Sequence, residues 1–479
     1  MSRLRDGVAR QGKALVRACC LGLGLGALSG MLLSCSPEPP KPQDLILISI
    51  DTLNQQALPA FNPDAGALPH FDHLAQRARR FSRARSTASW TLPAHSSLFT
   101  GLYPDRHGAI AGGRKVSPDA RLLTECLKQQ GFEAAAFTGG GFLHKKFGLD
   151  RGFDLYQDGS EALRRGETDE LWRLKERRTG LAFERAIRFL AERPQNSEEP
   201  LFLFVHTYIV HDFFRAHRWA RQRLPEFDDL NKRSYRKCLD GREDCSPEVW
   251  QRMRDLYRAE VEHIDERLGL LMEALEKAGY EDTALVVLLS DHGEGFAPEI
   301  ERMHHGGRVH ADVVTIPMLV AGPGVQPADD PTPVSLVDML PTLAEVLGVA
   351  PECAPDVDGQ SFAAALSGEA APVGRRTFFA MEHSHWWKDG VKTKLNPVPE
   401  IPALTAAIRG DLWFVDGTAG EELYNMEQDP RQLDNLAPDA EAVAGFKTEV
   451  RERVVRRAPE FLREDDDELE KELRSLGYL

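Results

Sequence analysis

The chain has 479 residues, 42% of them hydrophobic and 28% charged. That composition excludes a disordered or fibrous class and leaves room for one large domain with an appendage, or for two domains. A net charge of −15 argues against nucleic acid as a partner, while leaving room for a cationic pocket inside an acidic shell.

Residues 1–35 join a basic segment, a short apolar run and small residues ahead of a cysteine, the pattern of a secretory signal rather than a membrane span. Leu32-Leu33-Ser34-Cys35 resembles a bacterial lipobox. It implies cleavage before Cys35, lipidation of its thiol, and an exported protein anchored to a membrane and facing the periplasm or the cell surface. The alternative is an uncleaved anchor helix. Residues 36–43 read as a Pro-rich tether. Residues 1–34 carry Arg3, Arg5, Arg10, Lys13 and Arg17 against Asp6, a net +4, so the remainder of the chain is near −19.

Next comes DLILISID (44–51), a continuous apolar run ending in an acid, as expected of a buried parallel strand that delivers a carboxylate at its C-terminal edge. Residues 119–132 read as a helix, EAAAFTG (133–139) as a strand and LFLFVH (201–206) as another buried strand. From about Pro247 to Gly279, Val249, Met253, Leu256, Ile264, Leu268, Leu271 and Leu275 recur near the helical period. That helix leads into TALVVLLSDHGE, a strand ending in Asp291 and His292. The alternation predicts an α/β fold, a large, mainly parallel sheet covered by helices on both faces. In such sheets ligands bind beyond the carboxyl ends of the strands, where Asp51, His206, Asp291 and His292 arrive.

The pattern changes after residue 370, so residues 44–370 form the expected catalytic domain and 371–479 a small C-terminal subdomain. Residues 406–426 read as an antiparallel hairpin, and a charged helix follows. Of the cysteines outside the export segment, Cys238 and Cys245 flank a short loop that an oxidising compartment would let them close. For Cys126 and Cys353 the plain reading is two free buried thiols.

Two carboxylates and an imidazole meeting at one sheet edge repel unless a divalent cation neutralises them, so Asp51, Asp291 and His292 make a hard-to-borderline metal site. The segments that hold them resemble the sulfatase family of the alkaline phosphatase superfamily. The likeness runs in order through ILISIDTL, FGLDRGFD (147–154), FLFVHTYIVH, VVLLSDHGEGF, HHGGRVHADVVTIPMLVAGPG and GEELYNMEQDPRQLDNLA, spanning residues 44–440. The family's nucleophile motif, Cys or Ser, any residue, Pro, any residue, Arg and then Thr-Gly, falls on Thr91-Leu92-Pro93-Ala94-His95 and Thr100-Gly101.

The resemblance implies an alkaline phosphatase-like fold and one divalent cation, Ca2+ first with Mn2+ or Zn2+ as alternatives. Asp51, Asp291, His292 and the Thr91 oxygen would be its ligands. Thr91 becomes the nucleophile, at a helix start where the dipole favours an anionic oxygen; the competing reading makes it only an N-cap. His211 and His305 match substrate-side histidines, while His206 and His304 read as their supports. His95 replaces the family's arginine, exchanging a fixed positive charge for a titratable one, and is expected to stabilise the oxyanion. The segment HSHWWKDG (383–390) reads as a substrate-contacting loop or an exposed insertion.

Threonine does not yield the formylglycine aldehyde that sulfatases make from Cys or Ser. The expected function is hydrolysis of a sulfate ester of a small molecule or glycan. A Thr-nucleophile phosphodiesterase, phosphomonoesterase or phosphotransferase is the first alternative, and a lapsed sulfatase that binds sulfated glycans the second.

Overall fold

The computed structural model describes residues 41–455 apart from 111–113, 159–170, 195–196, 216–217, 225–245, 298–301, 372–375, 384–401, 418–419 and 438–439. The segment 384–390, the pair Cys238 and Cys245, and the acidic tail after 455 therefore lie outside the described residues.

The strands of the main sheet, in chain order, are β1 (Asp44–Ile50), β2 (Ala78–Phe81), β3 (Glu133–Phe137), β4 (Leu155–Gln157), β5 (Leu201–Thr207), β6 (Ala284–Leu289), β7 (Met318–Ala321) and β8 (Ala328–Asp330). They form one eight-stranded sheet in the order β8-β2-β7-β6-β1-β5-β3-β4. All neighbours are parallel except β7, which runs antiparallel to both β2 and β6. The central strand β1 pairs with β5 on one side and β6 on the other.

Every residue of β1 is buried, because successive side chains enter two different cores. Leu45 and Leu47 pack with Phe99, Phe204 and Leu289 on one face. Ile46, Ile48 and Ile50 pack with Phe183, Met253 and Leu256 on the other. Each such side chain contributes about 1.5–3 kcal/mol of transfer free energy. A strand covered on both faces must read as an unbroken apolar run, as this one does.

The helix that opens the first core is α1 (Thr91–Thr100), and the long one across the other face is α2 (Pro247–Lys277). The helix expected over 119–132 is shorter, Leu123–Gln129. Glu125 accepts the Leu122 N–H at 2.9 Å, and Arg151 of the FGLDRGFD segment binds the carbonyl of Ala120 at 2.7 Å, which holds the preceding turn out of the helix. That segment thus braces the scaffold.

The expected hairpin is part of a larger sheet. Strands β9 (Phe378–Glu382), β10 (Leu404–Arg409), β11 (Leu412–Gly417) and β12 (Gly420–Asn425) form a four-stranded antiparallel meander. Its Trp413, Val415 and Tyr424 share a core with Val309, Val313 and Val314, residues that follow His305. Gln432 Oε1 accepts the Ala311 N–H at 2.7 Å. The far side of the meander is covered by Val443, Phe446 and Val450 of α3 (Ala440–Val455).

Cys126 and Cys353 are not free thiols. They form a disulfide across a sequence separation of 227 residues. The pairing ties the Leu123–Gln129 helix to the Pro351–Cys353 turn, a proximity that sequence spacing does not carry. Among the described residues, no helix is long and apolar enough to cross a membrane.

Candidate active site and metal centre

Because β1, β5 and β6 are parallel and in register, with Ser49 opposite both His206 and Leu289, their carboxyl ends present Asp51, His206 and Asp291 at one edge. The turn beyond β1 is held hard. Thr52 has φ of 58°, an unfavourable value for a β-branched residue. Its N–H points at Asp291 Oδ1, 3.3 Å away, and its carbonyl accepts the Tyr257 hydroxyl of α2 at 2.8 Å. Beyond β6, Gly293 lies so close to the segment of Val309–Val314 that a Cβ would sit 2.3 Å from the Asp312 carbonyl oxygen. Only glycine closes the Asp-His-Gly turn there.

Asp51, Asp291 and His292 are fully buried, and one donor atom from each lies within 4.8 Å of the others. His292 Nδ1 is 3.1 Å from the Gly293 carbonyl, which only an N–H can satisfy. The proton is thereby assigned to Nδ1, and the Nε2 lone pair faces Asp51 Oδ1 at 3.8 Å and Asp291 Oδ2 at 3.5 Å. Burial pushes the carboxyls of both aspartates up, and for Asp291 the charge of Asp51 adds to the rise.

Among the described residues, Asp51 Oδ1, Asp291 Oδ2, His292 Nε2 and both ring nitrogens of His206 have no hydrogen-bond partner despite complete burial. Unpaired buried polar atoms cost about 1–3 kcal/mol each, and those of Asp51, Asp291 and His292 belong to residues whose donor atoms converge. This donor set of carboxylates and imidazole fits a divalent cation.

Thr91 is the first residue of α1. The N-cap is Trp90, which supplies no side-chain cap. The Thr91 hydroxyl does not cap the helix; it donates to Asp51 Oδ2 at 2.9 Å. The reading of Thr91 as an N-cap is therefore set aside. The α1 N-terminus, with its partial positive charge, opens at this hydroxyl.

His95, one turn further on, is fully buried. Its Nδ1 lies 2.9 Å from the Thr91 carbonyl and its Nε2 2.9 Å from Ser49 Oγ. The carbonyl fixes the proton on Nδ1, so Nε2 accepts from Ser49. Burial pulls the imidazole down to about 4. The expectation of a titratable cation on the oxyanion is corrected accordingly: His95 is neutral and both nitrogens are engaged inside the protein. It braces the residue that precedes it by one turn.

His206, expected as a support, lies closer in than that. Its Nε2 is 3.6 Å from Asp51 Oδ2, burial pulls it down to about 3, and it converges with His95 and Asp291 as a further possible donor group.

His211 and His305 do come together, with ring centroids 5.0 Å apart, and His305 lies 4.7 Å from His292. Burial acts to lower His211, but the hydrogen bond to Asp212 at 3.3 Å, together with the charges of Asp51, Asp212 and Glu294, outweighs it and raises the group. His305 Nδ1 meets Glu294 Oε2 at 2.9 Å. Burial holds His305 well below the usual imidazole range, so it donates this bond as a neutral ring and leaves Nε2 as an acceptor.

Glu294 escaped sequence reasoning. It stands three residues after Asp291 in the same Asp-His-Gly-Glu turn, and that spacing was the signal. His304, adjacent to His305, has Nδ1 3.4 Å from both Glu294 oxygens. From the C-terminal sheet, Glu382 accepts the Ser89 hydroxyl at 2.7 Å and the Gly307 N–H at 3.4 Å, joining the strand end to both walls of the site.

Comparison with known proteins agrees with this architecture. A family model described as "Sulfatase" matches residues 43–349. The chain is 24% identical over 447 residues to a choline-sulfatase of Rhizobium meliloti (strain 1021), covering 82% of each chain. Among solved structures, it superposes on a 2-O GAG sulfatase with a TM-score of 0.68 and 17% identity, over 90% of this chain and 96% of that one. It also superposes on the phosphonate monoester hydrolase of Agrobacterium radiobacter with a TM-score of 0.63 and 18% identity, over 86% and 96%.

Proposed function

Because the chain belongs to the sulfatase family of ester hydrolases, we propose that it cleaves a sulfate ester with the Thr91 hydroxyl as nucleophile. The observation that carries this reading is the Thr91 hydroxyl aimed at Asp51 inside a cluster of unpartnered buried donors.

Asp51, Asp291 and His292, with Thr91 Oγ1, would hold a divalent cation, Ca2+ first on the oxygen content of the set; when bound it supplies positive charge that favours the ionised hydroxyl and the ester oxyanion. Asp51 Oδ2 is placed to take the Thr91 proton, and His95 fixes the Thr91 carbonyl from behind. Thr91 Oγ1 forms a bond to sulfur as the bond to the leaving oxygen breaks. His211, whose proton is favoured by Asp212, gives that proton to the leaving oxygen. Water then cleaves the threonine ester, releasing sulfate and restoring the hydroxyl. His305 Nε2 is the acceptor available on the same side.

A second reading is favoured by one residue. Threonine yields no aldehyde, and cleavage of a nucleophile ester by water is familiar for phosphoryl groups, so a phosphate or phosphonate ester is the alternative substrate. The deciding experiment compares hydrolysis of one aryl alcohol's sulfate, phosphate monoester and phosphate diester by residues 36–479 loaded with calcium, manganese or zinc. Thr91→Ala serves as the blank. A Thr91-dependent preference for sulfate supports the first reading, a phosphate preference supports the second, and turnover that survives in Thr91→Ala overturns both.

The natural substrate is proposed to be a sulfated small molecule or glycan, as the names of the choline-sulfatase and the GAG sulfatase support. The chain is further proposed to be exported and lipid-anchored at Cys35. The basic and apolar segments before that cysteine support this, and so does the Cys126–Cys353 disulfide, a bond suited to an oxidising compartment. Incorporation of labelled fatty acid into the wild type and not into Cys35→Ala is the check.

A further inference from the structure

We propose that a cavity between the turn after β2 and the β10–β11 turn of the meander binds a sugar-sized anion, whose carboxylate or sulfate group sits on the Arg85 guanidinium. The cavity has a volume of about 700 Å³, within the usual range for small-molecule sites. Asp51, Thr91, His211, Asp291, His292 and His305 are not among the described residues that line it. It is therefore distinct from the candidate active site.

Arg85 stands on the two-residue strand Ala84–Arg85, which bridges to Thr315. Its Nη1 donates to the Ala84 carbonyl at 3.3 Å and to Thr315 Oγ1 at 3.1 Å. The guanidinium carbon lies 5.5 Å from the centre of the Trp413 ring, which holds the side chain against the meander. Nε and Nη2 make no hydrogen bond among the described residues and are not sealed in the interior. Because Arg85 lines the cavity, their N–H groups open onto it. These two nitrogens form one edge of the guanidinium, the edge that donates to both oxygens of a carboxylate or sulfate.

No acid compensates this cation. Of the carboxylates in the same wall, Asp411 pairs with Arg83, and Asp312 pairs with Arg308 at 2.8 Å. Among the described residues Arg85 has no ion-pair partner. Burial pulls its guanidinium down to about 10, the Arg83 charge adds to the fall, and Asp411 offsets it only in part. A partly buried cation with an open donor edge and no counter-charge favours an oxyanion. The cavity is larger than a bare inorganic anion needs, and the exposed Gln56 and Ser82 in its lining match the hydroxyls of a sugar.

The test is calorimetric titration of the chelator-stripped full chain with glucuronate, glucose 6-sulfate and glucose. Without its cation the candidate active site is rich in carboxylate and repels anions, and the outcome does not depend on Thr91 or on turnover. One anion per chain should bind, with neutral glucose at least about ten-fold weaker, and the tighter of the two anions identifies the oxyanion. Arg85→Met keeps an unbranched stem against Trp413 and removes the donor edge. Thr315→Asp places a carboxylate where Thr315 Oγ1 meets Arg85. Each should weaken the anion at least about ten-fold, with circular dichroism confirming that the variants are folded. If Arg85→Met does not fold, Thr315→Asp carries the test. If the stripped chain does not fold, the same substitutions in a cation-loaded Thr91→Ala chain carry it. Absence of binding by both anions overturns the proposal, as does glucose binding equally tightly or an unchanged affinity in Thr315→Asp.

Discussion

The Thr91 hydroxyl donates to Asp51 Oδ2 at 2.9 Å across 40 residues of chain. The contact joins the first residue of a helix to the carboxyl end of the central strand, two places where backbone dipoles and a carboxylate polarise one hydroxyl. It is the relationship on which the proposed chemistry turns.

If Thr91 is the nucleophile, Thr91→Ser should keep measurable turnover while Thr91→Ala loses at least about a thousand-fold in kcat. Stability should change by only about 1 kcal/mol in Thr91→Ala, since one hydrogen bond is lost. Steady-state kinetics beside urea unfolding separates the two effects; equal losses in Ser and Ala variants would count against the nucleophile.

Metal removal should destabilise the protein, and more so at higher pH. In the cation-free site burial raises the carboxyls of Asp51 and Asp291 above their unfolded values. The folded state then binds more protons than the unfolded state, so stability falls as pH rises from the ordinary carboxylate range through the raised values. A bound cation replaces those protons and removes the slope. Melting temperatures with chelator and with added metal, taken from pH 5 to pH 8, should diverge as pH increases.

His95 acts by packing and hydrogen bonding. Its removal leaves the Ser49 hydroxyl and the Thr91 carbonyl unpaired in a closed interior, so His95→Ala should cost about 2–4 kcal/mol in chemical denaturation. Because the ring is neutral, burial having pulled it to about 4, its loss should leave the pH profile of kcat between pH 6 and 8 unchanged in shape. A profile that loses a limb would return His95 to a titrating role.

Replacing Cys126 and Cys353 together by serine should lower stability by about 2–5 kcal/mol, because the bond closes a long loop in the unfolded chain. Urea unfolding with and without reductant should show the same loss in the wild type when reduced, and no effect of reductant on the double variant.

Local patterns carried much of this molecule. The unbroken apolar runs of β1, β5 and β6 identify strands covered on both faces, since no exposed strand tolerates them. Asp51, Asp291 and His292 are legible as strand-end residues for the same reason, and the structure brings their donor atoms together. The Pro247–Lys277 helix follows from its spacing.

What tertiary structure alone decided depends on contacts distant in sequence. Whether Thr91 caps a helix or offers its hydroxyl to Asp51 is settled by where β1 ends. Whether His95 carries a charge is settled by complete burial between Ser49 and Thr91. Glu294 becomes part of a site because His304 and His305 fold back onto it, and Cys126 finds Cys353 because a helix and a turn remote in sequence share one core. A sequence states which side chains are available; burial and proximity, which set their charge and their partners, exist only once the chain has closed on itself.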